Sequence, residues 1–234
     1  MRFDIMTLFP DLVDTVLSES IIGRAQKQNF IEIKTHNIRD YANNKHNKVD
    51  DTPYGGGFGM LMAAPPICDC YDAIIKDSPD ITSRRTVYLS PRGCRFDQKK
   101  AAELSKYDQL ILLCGHYEGV DQRAIDLIVD EEISIGDFVL TGGEIPACIV
   151  VDAVSRLCDG VLSDSECYKK ESFGENGLLE FPQYTRPFEY KDLKVPEVLL
   201  SGHHENIDKW REGESLKITK QNRPDLLEKN DEKD

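Results

Sequence analysis

The 234-residue chain contains no apolar run near the roughly 18 residues that a membrane-spanning helix requires. Asp4 interrupts MRFDIMTLFPD where a secretory leader would need its apolar stretch, so export is not expected. Cysteine is present, but not as a framework. The seven residues (68, 70, 94, 114, 148, 158 and 167) make an odd count without a C-x-x-C pair. Cys114 in LILLCG and Cys148 in IPACIVV lie in apolar runs. Such thiols read as buried and reduced, which implies a cytoplasmic address. Cys68-Asp69-Cys70 is too tight for zinc unless distant ligands join it, so no metal site is read. Several familiar signatures are missing as well: G-x-x-x-x-G-K-[ST], G-x-G-x-x-G with its later acid, G-x-S-x-G and H-E-x-x-H. P-loop nucleotides, ordinary dinucleotides, serine-hydrolase chemistry and zincin chemistry therefore lose their usual support. His203-His204-Glu205 does not replace them, since adjacent residues on a helix face different ways.

Positive charge is also scarce. Twenty-nine Lys and Arg stand against 42 Asp and Glu, a net charge of −13. Taken alone, that balance argues against a polyanionic partner, whose phosphates attract cations. The charge is uneven, however. Residues 24–48 carry Arg24, Lys27, Lys34, Arg39, Lys45 and Lys48 against only Glu32 and Asp40. That local excess can hold a polyanion, although solvated charge clusters are commoner than binding sites.

At this length one or two domains are expected, with a core that needs no staple. RFDIMTLF reads as a strand, followed by a helix begun at Pro10 with Leu12, Val13, Val16, Leu17 and Ile21 on one face and Gly23 near its end. FIEIKTHNI alternates like a half-buried strand. Residues 39–66 show no period, and a loop of that length inside a compact domain is usually functional or disordered. Helical character returns at Ile67–Lys76. Short apolar strands then alternate with helices: TVYLS, a helix over Asp97–Lys106, QLILLC, a helix over Val120–Val129, EISI, and a helix over Ile145–Leu157. That alternation predicts an α/β fold with a parallel sheet. The acidic stretch after Asp159 reads as a linker, and the segment from Val195 as a small helical unit with Trp210, the only tryptophan, as its anchor.

Each of the three later strands runs into a glycine-containing loop: Pro91-Arg92-Gly93, Gly115-His116-Tyr117-Glu118-Gly119, and Gly136-Asp137-Phe138-Val139-Leu140-Thr141-Gly142-Gly143. Ligands of parallel sheets bind beyond the carboxyl ends of strands, so the three loops together point to one small-molecule pocket. Any one of them could simply turn the chain. The long loop holds Asp50-Asp51-Thr52-Pro53-Tyr54-Gly55-Gly56-Gly57-Phe58-Gly59-Met60. Its glycines are entropically costly, and its framing aromatics could stack on a splayed base.

In these residues the chain resembles the bacterial tRNA (guanine-N1)-methyltransferases, the TrmD family of the SPOUT class. The likeness is carried in order by VDDTPYGGGFGMLM, YLSPRG, LCGHYEGVDQR, SIGDFVLTGGEIPA, LLEFPQYTRP and VPEVLLSGHHENIDKWR. It implies a parallel sheet tied in a deep trefoil knot over residues 1–160, a flexible linker over 161–173 and a small α-helical tRNA-binding domain over 174–234. It also implies a homodimer with active sites at the subunit interface, no membrane partner, and S-adenosyl-L-methionine as methyl donor. The cofactor would contact Tyr88, Leu89, Ser90, Pro91, Gly93, Gly115, Tyr117, Glu118 and Gly119. Its remaining contacts would be Ile135, Gly136, Asp137, Phe138, Val139, Leu140, Gly142, Gly143 and Pro146. Asp50, Tyr54, Gly55, Gly56, Gly57, Gly59 and Met60 would bind tRNA. The expected reaction is methylation of N1 of guanine 37, beside the anticodon. A divalent metal is compatible with that chemistry, but no residue pattern specifies one.

Two residues would carry the chemistry. Arg156 falls at the position of the family's catalytic arginine, and Glu171, in KKESFGENG, where the family commonly has an aspartate as general base. Guanine N1 carries a proton and is a poor nucleophile until a base removes it. Negative charge then grows toward O6, where a guanidinium stabilises it. The alternative, a non-catalytic RNA-binding protein of the same fold, would keep the aromatic loop but would not need the cofactor loops or Arg156.

Overall fold

Strands that read as continuous apolar runs must be covered on both faces. The computed structural model, which describes residues 1–163 and 170–227, shows how that is done. Strands β1 (Arg2–Thr7), β2 (Glu32–Asn37), β5 (Arg84–Arg95), β6 (Gln109–Cys114) and β7 (Glu131–Ser134) form one sheet in the order β2-β1-β6-β5-β7. Every neighbouring pair is parallel. One face buries Phe3, Ile5, Leu110 and Leu112 against α1 (Pro10–Leu17), α2 (Ser20–Lys27), α4 (Gln98–Leu104) and α6 (Glu144–Ser155). The other buries Met6, Ile111 and Leu113 against α3 (Ala64–Asp77) and α5 (Gln122–Ile128). β6 is buried along its whole length because it lies in the middle of this sandwich. Each fully buried Leu or Ile there contributes about 1.5–3 kcal/mol.

The described residues form no disulfide; Cys70, Cys114 and Cys148 are buried and Cys94 is exposed. Burial pushes the Cys148 thiol up to about 11, and the nearby Glu144 carboxylate adds to that shift.

The second face also holds a buried ionic cluster. Asp4, fully inaccessible, takes Nε and Nη2 of Arg2 at 2.7 Å each, Nε2 of Gln109 at 2.7 Å and Nε2 of His36 at 2.8 Å. Burial opposes the carboxylate, but these hydrogen bonds outweigh it and hold Asp4 below its ordinary range.

Three expectations need correction. The helix foreseen from Pro10 through Ile21 is two helices, broken after Leu17, with Ser20 at φ 56°. Gly23 lies within the second, where a Cβ would stand 1.9 Å from the Ser18 carbonyl oxygen. That turn needs glycine, and it leaves Leu12, Val16 and Ile21 exposed while Val13 and Leu17 are buried. Strand β5 is longer than TVYLS, because both Leu89 and Cys94 face Ile133 and residues 90–93 loop out between them. Trp210 is half-buried rather than a central anchor, its ring 6.4 Å from that of Tyr184.

The chain falls into two compact units, Met1–Asp164 and Ser165–Asp234. In the second, strands β8 (Glu189–Tyr190) and β9 (Leu193–Lys194) form a hairpin, and helix α7 spans His204–Asn222. The turn residues Lys191 and Asp192 both have positive φ, as a two-residue hairpin turn demands. Thr219 of α7 accepts the Leu179 amide at 2.9 Å and donates to the Ser215 carbonyl at 2.7 Å. Part of the expected linker, with Glu166 and Cys167, and the tail after Leu227 lie outside the described residues.

Candidate active site

β6, β5 and β7 are neighbours in the sheet, so the loops after them emerge side by side at its carboxyl edge. They enclose a cavity of about 460 Å3, within the size range of small-molecule sites. Of the expected cofactor residues, all but Gly93 and Asp137 line it. Gly93 acts from behind the wall. A Cβ there would stand 2.3 Å from the Glu132–Ile133 backbone, so only glycine lets the looped-out segment return to β7. Gly143 has a similar role: its Cβ would meet the Cys114 Cα at 2.7 Å, and its amide donates to the Gly115 carbonyl at 2.9 Å. The Gly143 contacts pin the third loop to the second, and the Gly93 approach pins the first to β7.

Tyr88 forms part of the cavity wall, its buried ring lying against Gly115. Burial raises its hydroxyl pKa, the Glu132 carboxylate raises it further, and Arg92 opposes them. His116 packs between Phe9 and Tyr117, with ring centroids 5.0 and 5.1 Å away. Behind the third loop, buried Glu144 accepts the Thr7 hydroxyl at 2.8 Å, which ties the first turn of α6 to the end of β1.

The long loop is built on a two-rung ladder between β3 (Asp50–Asp51) and β4 (Leu61–Met62). At its tip Tyr54 and Phe58 are 100% and 98% exposed, and Gly55, Gly56, Gly57 and Gly59 all have positive φ. Side chains this apolar and this exposed gain nothing from the fold, so they are available to an outside partner. The base of the loop is stitched to the second glycine loop, Gly115–Gly119. The Glu118 amide donates to the Met60 carbonyl at 3.0 Å, the Met62 amide to Gly119 at 2.9 Å, and the Asp121 amide to Met62 at 2.9 Å. The basic flank is partly neutralised, because Lys34 pairs with Asp77 at 2.9 Å and Lys48 with Asp51 at 3.3 Å.

The cavity wall also contains Leu61, Arg92, His116, Val120, Ile133, Ser134 and Thr141, which sequence reasoning did not select. Most are neighbours of selected residues, so the loop motifs already pointed at them. Leu61 lies in the long-loop motif beside Met60, a residue assigned to tRNA by resemblance, and nothing local assigns it to the cavity. Arg156 caps the C-terminus of α6, half-buried and outside the cavity wall. Glu171 lies in the second unit, half-buried, in a segment closed by the Gly174 amide on the Glu171 carbonyl at 3.0 Å and the Phe173 amide on Leu178 at 2.9 Å. Among the described residues, no group of three or more His, Cys, Asp or Glu is placed to hold a metal ion.

Residues 1–229 match the family model described as tRNA (Guanine-1)-methyltransferase TrmD. The chain is 57% identical over 229 residues to a tRNA (guanine-N(1)-)-methyltransferase of Ruminiclostridium cellulolyticum, covering 98% of this chain and 97% of that protein. It is 54% identical over 233 residues to a protein of the same name from Clostridioides difficile, covering 100% of both.

Proposed function

The chain belongs to the tRNA (guanine-1)-methyltransferase family, and from that premise we propose that it methylates N1 of guanine 37 in tRNA, with S-adenosylmethionine as methyl donor. The observation that carries the reading is the stitching of an exposed aromatic loop to a glycine-walled cavity through Met60, Met62 and Glu118. An RNA-binding element and a small-molecule site are thereby parts of one frame. The cavity fits the donor on its own terms. Its volume suits a nucleoside-sized ligand, and Gly115, Gly142 and Gly143 bring bare backbone to its edge where a Cβ has no room. Tyr88 and Phe138 offer ring surface beside that backbone.

When bound, S-adenosylmethionine supplies an electrophilic methyl group on a positively charged sulfur. Tyr88, Leu140 and the loop glycines would hold and orient it. We assign Glu171 as the base that takes the guanine N1 proton, which frees the nitrogen lone pair to form the new N–CH3 bond; the S–CH3 bond would break with its electron pair left on sulfur, giving S-adenosylhomocysteine. Arg156 offsets the negative charge that spreads to O6 as the proton leaves. Tyr54 and Phe58 provide stacking faces for bases drawn out of the anticodon loop.

The remaining family features are part of the same proposal: a trefoil knot formed by the cofactor loops within residues 1–160, a linker over 161–173, and a tRNA-binding helical domain over 174–234. So is a homodimer with active sites at its interface. Exposed Leu12 and Val16 of α1, beside exposed Ile145 and Ile149 of α6, support it as an apolar face that a second copy would cover.

The test is nucleoside analysis of tRNA carrying guanine or adenine at position 37 after incubation with enzyme and S-adenosylmethionine. 1-Methylguanosine is expected only with guanine 37. RNA binding without that product would leave the non-catalytic reading instead.

A further inference from the structure

S-adenosylmethionine carries a carboxylate, an ammonium and a sulfonium. A carboxylate leaving water binds well only where a cation or several donors receive it. Among the described residues lining the cavity, Arg92 is the one Lys or Arg side chain. It stands on the segment that loops out of β5 between Leu89 and Cys94, and its side chain is 61% exposed. Nη2 is anchored to the Glu132 carboxylate at 3.1 and 3.3 Å. Its other donors, Nε and Nη1, have no partner among the described residues. The Ser90 hydroxyl accepts the Arg92 amide at 3.2 Å and so fixes the turn from which the side chain departs. A guanidinium held along one edge keeps a second edge for a planar anion.

Resting on the reading of the cavity as a donor site, we infer that Arg92 recognises the carboxylate of S-adenosylmethionine and makes the site selective for the intact amino-acid tail. Glu132 is the positioning residue. It orients the guanidinium and shares its charge. An RNA phosphate is the competing partner for so exposed a cation, and the test separates the two.

Calorimetry would compare S-adenosylmethionine, S-adenosylhomocysteine and decarboxylated S-adenosylmethionine on the wild-type protein and on Arg92→Met, which keeps the apolar stem and removes the charge. The variant should lose about tenfold or more, equivalent to about 1.4 kcal/mol, toward both ligands that carry the carboxylate. The decarboxylated compound should bind wild type and variant within about twofold. Arg92→Lys should fall between, since it keeps charge without the fork. Equal losses for all three ligands, or no loss for any, would overturn the inference, as would an effect confined to tRNA affinity. Failure of all three ligands to bind the wild type would instead sink the donor-site reading itself. If Arg92→Met unfolds, Glu132→Gln provides the second probe, because it frees the guanidinium without removing it. The ratio of affinities for intact and decarboxylated ligand should then rise, and an unchanged ratio would also overturn the inference.

Discussion

Single atoms decide much of this site. At Gly143 a Cβ would be 2.7 Å from the Cys114 Cα, which is backbone at the end of a buried strand and cannot yield. Gly143→Ala should therefore destabilise the protein by about 1–3 kcal/mol, the usual cost of overpacking, and weaken S-adenosylmethionine binding. Thermal unfolding and calorimetry would check both effects. Asp4 supplies a different prediction. Its carboxyl titrates lower in the folded protein than its ordinary value, so it contributes stability above about pH 3.9 that is lost as pH falls through the lower folded value. Asp4→Asn removes the buried anion, but Arg2 keeps Asp77 at 2.8 Å, so the cost near neutrality should fall below the about 3–5 kcal/mol of an orphaned buried charge, with a flatter acid limb. Urea midpoints measured from pH 7 down to pH 3 would show it. Glu171→Gln should slow single-turnover methylation by about 10²–10⁴-fold while leaving cofactor affinity nearly unchanged. Near-normal turnover by that variant would remove Glu171 from the mechanism.

At the level of elements, the loop between β3 and β4 carries exposed aromatics on a base tied to the wall of the glycine-loop cavity. Stacking of one nucleic-acid base on an aromatic side chain is worth about 1–3 kcal/mol. Replacing Tyr54 or Phe58 by Ala should thus weaken tRNA binding by roughly one to two orders of magnitude. S-adenosylmethionine affinity should stay unchanged, because neither side chain lines the cavity. Filter binding and calorimetry on the same variants would separate the effects. The helices teach a related lesson. Leu12, Val13, Val16, Leu17 and Ile21 satisfy one continuous helical stripe, yet the chain breaks after Leu17 because Gly23 can press against the Ser18 carbonyl. Periodicity reports which residues are apolar; it does not report a close approach between backbones.

For the whole molecule, a net charge of −13 sets the background against which tRNA must bind. Lys34 and Lys48 already spend part of their charge on Asp77 and Asp51, which leaves Arg24, Lys27, Arg39 and Lys45 as the cations of residues 24–48 without an ion pair among the described residues. Binding should accordingly weaken with added salt, but with a shallower slope than so many lysines and arginines over residues 24–48 would suggest. Affinities measured across a salt series would give that slope. The apolar face of α1 and α6 makes a second prediction. Val16→Glu places a charge in the face assigned to the second copy and should shift the light-scattering mass from about twice to once the 26.5 kDa of one chain. A wild-type mass of one chain would overturn the dimer.

The strands β6 and β7, the helices between them and the glycine loops at their ends were legible from the chain alone, because apolar period and glycine position are local properties. So was most of the cavity wall: the motifs that end the strands necessarily sit at the sheet's carboxyl edge. Other features came only from packing. Leu61 joins the wall from the β3–β4 ladder, and Gly93 lies against the β7 backbone at a distance that only glycine allows. Asp4, which in sequence merely spoils an apolar run, became the centre of a buried ionic cluster only when Arg2, His36 and Gln109 were brought around it. Each of these depends on which segments lie within a few ångströms of one another. That is settled by sheet order and loop return, and local sequence pattern does not encode it.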